Sequence, residues 1–414
     1  MFVLSVCLAS RAAAAGLDET EVKKLGTVPA RDARNVTLSR DGERIAYVLV
    51  RGKERIVVTD GVEGAVYDEV RGLTFSPNGK YLAYAACKDR VWMPVVNGKE
   101  GERYTALCGP VFSPNGKHFT YSAARGRARS YVIFDGVQRT QFSAVGTEAP
   151  VFSPDSRHLA YEGRSSGTAT RTTVRDPNRV RRPDERPPTF VTEDGKEVDV
   201  NSTSIERTHF IIRDEKKGVR TTDVKHPVFS PNSKVLVYCA AFDDKWFLVC
   251  DDSKYGKLYE DVGRAVFSPR GRTIAYAAKS EGKWCVVQGK KKGEPFDSVH
   301  SLTFSPNGKL LAYAARVGRK WFVVCEGKRS PGVDGIEGVR FSRDSVHLAY
   351  IARRRRMRVM IIDGVEGRPH GCIYLPKDAT RKKDRLRCVV TDGGAATLVE
   401  VDWPAETTWK NALN

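Results

Sequence analysis

The chain has 414 residues, 69 Lys and Arg against 50 Asp and Glu, a formal net charge of +19 and 41% hydrophobic residues. The apolar share is ample for a packed core and excludes a disordered polyelectrolyte, while the excess of positive charge favours anionic partners such as nucleic acid, acidic glycan or an anionic membrane surface. After the first sixteen residues no segment is apolar enough over sufficient length to span a bilayer as a helix.

Residues 1–16 open with Phe2-Val-Leu-Ser-Val-Cys-Leu-Ala9 and run into Ala12-Ala-Ala-Ala15-Gly16. An apolar run followed by small residues is the pattern of a secretory leader with its cleavage site, although the usual basic start is missing. The expectation is a signal peptide over 1–16, a mature chain from Leu17 and a periplasmic or extracellular protein; without a working signal the protein would be cytoplasmic. Residues 17–35 include Glu21-Val-Lys-Lys-Leu-Gly-Thr-Val28, which reads as a fourth strand lacking its first three and suits the closure of a ring by a borrowed strand.

From residue 36 to 402 one unit recurs. Its clearest copy is Phe304-Ser-Pro-Asn-Gly-Lys-Leu-Leu-Ala-Tyr313. Phe304 ends an apolar strand, Ser305-Pro306-Asn307-Gly308 has turn chemistry, and Leu310 to Ala315 is a second strand with both faces apolar. Copies anchored at Leu38, Phe75, Phe112, Phe152, Phe229, Phe267 and Phe341 keep steps of 37 to 40 residues, apart from one gap of 77 between Phe152 and Phe229. Two steps fit that gap, and Phe190-Val-Thr-Glu-Asp-Gly-Lys-Glu-Val-Asp-Val200 reads as a worn copy inside it. Asp384-Arg-Leu-Arg-Cys-Val-Val390 resembles a second strand alone. Third strands such as Lys245-Trp-Phe-Leu-Val249 and Lys320-Trp-Phe-Val-Val324 are β-branched and aromatic, and Asp60-Gly61, Asn97-Gly98, Asp135-Gly136 and Asp363-Gly364 supply hairpin turns before a short fourth strand. A fixed period of this kind predicts an all-β propeller of four-stranded antiparallel blades, with 8–10 blades in one ring or, alternatively, two smaller propellers.

The signature Phe-Ser-Pro-Asn/Asp-Gly-Lys-x-Leu-Ala-Tyr resembles the WD40-like (PD40) repeats of the TolB-type propeller family over roughly residues 36–402. That resemblance implies the propeller fold. The Trp-Asp and Gly-His marks of true WD40 repeats are absent, and the α/β domain that precedes the propeller in TolB has no counterpart, so no functional residue is carried over.

Between Gly163 and Pro188 the composition breaks into arginine and proline, including Arg164, Arg171, Arg175, Arg179, Arg181, Arg182 and Arg186. This reads as a surface loop over 164–188. Arg179, Arg181 and Arg182, together with Arg353, Arg354, Arg355 and Arg356 at a hairpin tip, are the candidate anion-binding residues; Lys290-Lys-Lys292 and Arg381-Lys-Lys383 are further basic runs. Gly163-Arg-Ser165-Ser-Gly167 matches the nucleophile-elbow pattern but falls near a blade hairpin without the strand–turn–helix context such a serine needs. His118, His158 and His347 share one repeat position that tolerates other residues and reads as variable surface. His226 and His300 precede two anchors and point toward the central funnel; similar repeats occur in pectic-oligosaccharide lyases that bind a metal there, which makes this pair weak metal candidates. Eight cysteines after the leader show no Cys-x-x-Cys pair and read as buried thiols, with disulfides open. No cofactor is indicated, and residues 403–414 form a C-terminal tail. The favoured reading is a non-enzymatic exported scaffold that binds a protein or an anionic envelope polymer. The alternatives are a metal-dependent enzyme acting on acidic carbohydrate, and nucleic-acid binding through basic loops.

Overall fold

The structure, a computed structural model, describes residues 17–29, 32–126, 130–142, 144–145, 149–166, 189–191, 197–199, 207–376, 379–380, 385–405 and 407–413. The leader 1–16 lies outside these residues. Nine antiparallel blades form the molecule. Blades 1 to 8 begin at Ala33, Glu69, Ala106, Ala144, Asp223, Asp261, Ser298 and Gly335, and blade 9 begins at Cys372. In blade 7 the strands Ser298–Phe304, Leu311–Val317, Lys320–Cys325 and Lys328–Arg329 pair in chain order, so each contact is made by a short hairpin. The first strands of neighbouring blades lie side by side around the axis. In blades 4 and 6 that first strand is split, into Ala144–Val145 with Val151–Phe152 and into Asp261–Val262 with Val266–Phe267.

Each blade meets the next through an apolar cluster. The alanines of the second strands (Ala46, Ala83, Ala312, Ala349) are fully buried, and their small size lets neighbouring sheets approach closely. The junction of blades 7 and 8 packs Ala312, Ala314 and Val323 against Ile336, Tyr350 and Ile361. The junction of blades 9 and 1 packs Val389 and Leu398 against Ile45, Tyr47 and Val58. That last contact makes one closed ring and not two smaller ones.

The signature turn explains its own residues. Ser305 is buried; its hydroxyl donates to Asn307 Oδ1 at 2.7 Å and accepts the Leu310 N–H at 2.9 Å. The same pair of bonds recurs at Ser76, Ser113, Ser153 and Ser230. Where the turn carries aspartate, the bond has an electrostatic signature: the Ser153 hydroxyl holds the Asp155 carboxyl below the usual carboxylate range. Three turns replace glycine by Ser156, Ser233 or Ser345, at φ of 64°, 63° and 68°. These serines are not worn glycines. Their hydroxyls accept the N–H of Asn115, Asp155 and Asn307, each in the turn one blade earlier, at 3.0 to 3.1 Å. A left-handed backbone that costs a serine some strain is here offset by a hydrogen bond between blades.

The gap of 77 residues holds one blade and an insertion. Strand Leu159–Ser166 pairs directly with Arg207–Arg213, register Ser166↔Arg207, so residues 167–206 are inserted in the sequence between two adjacent strands of this blade. Within it, Thr189–Val191 and Glu197–Asp199 pair only with each other as a two-stranded sheet. The copy anchored at Phe190 is therefore not a blade: spacing alone cannot separate a worn repeat from an insertion of similar length. The strand runs through Ser166, so the elbow-like Ser165 sits opposite Thr208 in an ordinary extended ladder, beyond the start assigned to the loop 164–188.

Blade 9 takes Cys372–Tyr374, Arg385–Asp392 and Ala395–Asp402 from the C-terminal part, and its outermost strand is Glu19–Thr27, paired from Glu19↔Val401 to Thr27↔Ala395. Leu17 is buried in the junction of blades 8 and 9. His370 clasps this closure: Nε2 lies 2.9 Å from Glu19 Oε2 and Nδ1 2.6 Å from Asp392 Oδ2. The C-terminal residues also pack. Trp403 stacks on His347 at 5.5 Å between ring centroids, and the short helix Trp409–Ala412 places Trp409 in the junction of blades 7 and 8.

Two predictions follow from these bonds. Ser305→Ala leaves the part-buried Leu310 N–H without its acceptor and costs about 1 kcal/mol, read as a lower denaturation midpoint. His370 has its pKa raised, first by the hydrogen bond to Glu19, against burial, with Asp392 adding to the rise. A raised pKa means its contribution is complete below the ordinary histidine value, about 6.5, and fades as pH climbs through the higher folded value. The gap in thermal midpoint between wild type and His370→Gln is therefore expected to be largest at acidic pH and to shrink at alkaline pH. A gap that widens with pH would contradict this assignment.

Candidate binding face

Because every blade runs in the same sense, the ring has two distinct faces. Signature turns and third-to-fourth hairpins share one, here the turn face. Second-to-third hairpins and the connectors between blades share the other, the loop face.

The turn face is occupied by its own bonds. Asp60, Asn97, Asp135, Asp214, Asp251 and Asp363 each accept the N–H that opens a second strand, at 2.8 to 3.0 Å. The three histidines read as variable surface belong to this network. His118, His158 and His347 place Nδ1 at 2.7, 2.6 and 2.5 Å from Asp135, Asp214 and Asp363, and Arg44 does the same for Asp60. Around blades 7 and 8 this face is further covered by Trp403 and Trp409. A cavity of about 390 Å³ opens between blades 4 and 5, lined by Arg213, Lys216, Lys234, Tyr238, Asp251 and Asp252 among others. Its rim mixes signs, with Arg213 already paired to Asp251 at 3.2 Å.

The loop face differs. Connector acids secure the hairpin backbones: Asp297 accepts the Gly318 N–H at 2.6 Å and the Lys283 ammonium at 2.5 Å, and Asp334 accepts the Arg355 N–H at 3.2 Å and the Lys320 ammonium at 2.8 Å. Outside those bonds, exposed Lys53, Arg90, Arg319, Arg355 and Arg356 crown the tips of blades 1, 2, 7 and 8, and among the described residues no ion pair engages them; exposed Glu54 and Asp89 share the tips of blades 1 and 2, so the excess of positive charge is strongest at blades 7 and 8. Blade 9 lies between these blades with the uncharged tip Gly393-Gly394, so the cations follow one arc of the ring. Blades 5 and 6 present Asp243, Asp244 and Glu281 on the same face. Within the arginine run Arg353 bonds the Asp334 carbonyl, Arg354 pairs with Glu366, and Arg358 lies 3.4 Å from Glu337. The run is thus half committed and half available. Arg179, Arg181 and Arg182 lie outside the described residues.

His226 and His300 lie on the first strands of blades 5 and 7, at a bulge that recurs in most blades. His226 has φ of 58°, and His300 packs on Trp321 at 4.5 Å with its pKa lowered by burial. Neither joins a group of three metal-capable side chains. Among the described residues the one such group is Glu162, His209 and Asp223, at the root of the insertion on the loop face. The group is not visible in the sequence because its three positions lie far apart in the chain. The eight cysteines are free, and Cys87, Cys239, Cys285, Cys325 and Cys388 are buried. No helix among the described residues is long and apolar enough to cross a membrane.

No protein-family model matches the sequence, and no curated protein does. Among solved structures the chain is similar to the Dos1 propeller, at 10% identity and a TM-score of 0.43 over 95% of this chain and 96% of that one. It is also similar to the β-propeller domain of the trilobed protease from Pyrococcus furiosus, at 12% identity and a TM-score of 0.37 over 74% and 96% of the two chains. A third likeness is to the Cps50 (Swd1) propeller domain of Myceliophteria thermophila, at 10% identity and 0.36 over 92% and 99%. At these values blade number and ring closure rest on the chain's own strand pairing.

Proposed function

We propose that the protein is a non-enzymatic, exported scaffold of the TolB-like kind that holds an acidic partner, a protein surface or an anionic envelope polymer, on the loop face across blades 7, 8, 9, 1 and 2. The observation that carries this reading is the arc of unpaired cations at Lys53, Arg90, Arg319, Arg355 and Arg356, which ends beside the acidic tips of blades 5 and 6. Clustered charge of one sign with no internal partner attracts and orients an oppositely charged surface. Loops on a rigid ring are where propellers place recognition, and the turn face is taken up by its own hydrogen bonds. Export is supported by the apolar leader, and cleavage before Leu17 would leave the closing strand Glu19–Thr27 whole. The repeat signature supports the TolB-like assignment.

The test is binding of the full chain to a sulfated polysaccharide, to polyglutamate and to single-stranded DNA of several sequences, each over a range of salt. Affinity is expected to fall steeply with salt and without regard to base sequence. Arg355→Glu with Arg356→Glu is expected to weaken binding about tenfold or more and to flatten the salt dependence by about two contacts. Unchanged affinity in that variant would overturn the arc, and base-dependent affinity would replace the reading with nucleic-acid recognition.

A further inference from the structure

We propose that Glu162, His209 and Asp223 form a binding site for one divalent cation of the zinc class, tying blade 4 to blade 5 at the root of the insertion. The site departs from the repeat at two places at once. Glu162 occupies a second-strand position held by Val48, Ala85, Ser122, Cys239, Ala277, Ala314 and Ile351 in the other signature blades, and it is buried. His209 occupies the third-strand position of Trp92, Trp246, Trp284 and Trp321. A buried carboxylate in a blade core is costly unless something compensates its charge. Arg164 compensates it, donating from Nε to Glu162 Oε1 at 2.7 Å. A carboxylate oxygen can accept that bond and a cation together, and such a neighbour would orient the ligand.

The distances separate a cation site from an ion pair. Four other histidines of this protein meet carboxylates at 2.5 to 2.7 Å through Nδ1. His209 Nδ1 instead lies 3.4 Å from Glu162 Oε1 and 3.4 Å from Asp223 Oδ1. It is buried and makes no hydrogen bond. Ligand atoms bound at zinc distances in a tetrahedron are about 3.3 Å apart. The nitrogen thus stands from both carboxylates at the edge length of a coordination polyhedron. All three ligand atoms fall within 4.8 Å of one another, and Asp223, its side chain 52% exposed, accepts the Val224 N–H at 2.8 Å through the same Oδ1 that faces His209, which fixes that oxygen in place. Mixed imidazole and carboxylate donors suit zinc and its transition-metal neighbours better than calcium or magnesium, which prefer oxygen alone. The arrangement joins a strand of blade 4, the strand that resumes after the insertion, and the first residue of blade 5.

The experiment is titration of the full chain with Co²⁺, read by visible absorption, followed by displacement with Zn²⁺. One Co²⁺ per chain, with absorption lost on adding Zn²⁺, is expected for the wild type. His209→Ala and Asp223→Asn are each expected to weaken binding about tenfold or more, and Zn²⁺ is expected to raise the thermal midpoint of the wild type but not of His209→Ala. Circular dichroism of Asp223→Asn, altered at a half-exposed side chain, guards against loss by misfolding. Isotherms unchanged in both variants, or no saturable uptake by the wild type, would overturn the site. Neither result bears on the cationic arc, which is tested without metal.

Discussion

The ring depends on a buried hydroxyl. In each signature turn except that of blade 6, a serine donates to the Asx residue two positions on and accepts the N–H five positions on, closing the first hairpin at the point where it meets the neighbouring blade. Blade 6 has Arg270 in place of the Asx residue, and there Ser268 keeps only the acceptor half, from the Thr273 N–H at 3.0 Å. Replacing the serine would leave a part-buried amide without its acceptor. The turn is therefore fixed by polar satisfaction as much as by the conformational preferences of proline and glycine.

Much of this was legible in the sequence because strands and turns obey short-range rules. Phe304 to Tyr313 gives a strand end, a turn and a strand start without reference to the rest of the chain, and eight such copies predict a ring. What was not legible depends on distance in the chain. The insertion after Ser166 imitated a repeat, since Phe190 falls where a blade of average length would put it. The pairing of His118, His158 and His347 with turn aspartates was hidden because the position appears variable until the aspartate is seen to accompany it. Glu162 could have been noticed as a charge in an otherwise small and apolar column, but only alignment of the blades against one another reveals it, and its neighbours His209 and Asp223 come from beyond the insertion.

The two faces divide the work of the fold. On the turn face polar groups are spent on one another, and the C-terminal helix and Trp403 lie over part of it. On the loop face the connector acids fix backbone and leave the tips of blades 1, 2, 7 and 8 with uncommitted charge. A cation joining Glu162, His209 and Asp223 would sit on the same side as the arc but away from its blades, so that rigidity and recognition are supplied by different sectors of one ring.

The closing blade imposes an order of events. Glu19 reaches His370, 351 residues away, and pairs alongside Val401, so the strand Glu19–Thr27 finds its place only when the strands of blade 9 exist. Until then Leu25 and Val28 lack the apolar partners of blade 9, and the edge of Ala395–Asp402 has no strand to cover it. Contacts of such long range form slowly because the whole intervening chain must first be drawn together. The ring is thus a clasp between strands far apart in the chain, and a protein lacking either Glu19–Thr27 or Ala395–Asp402 would remain an open arc with a sticky rim.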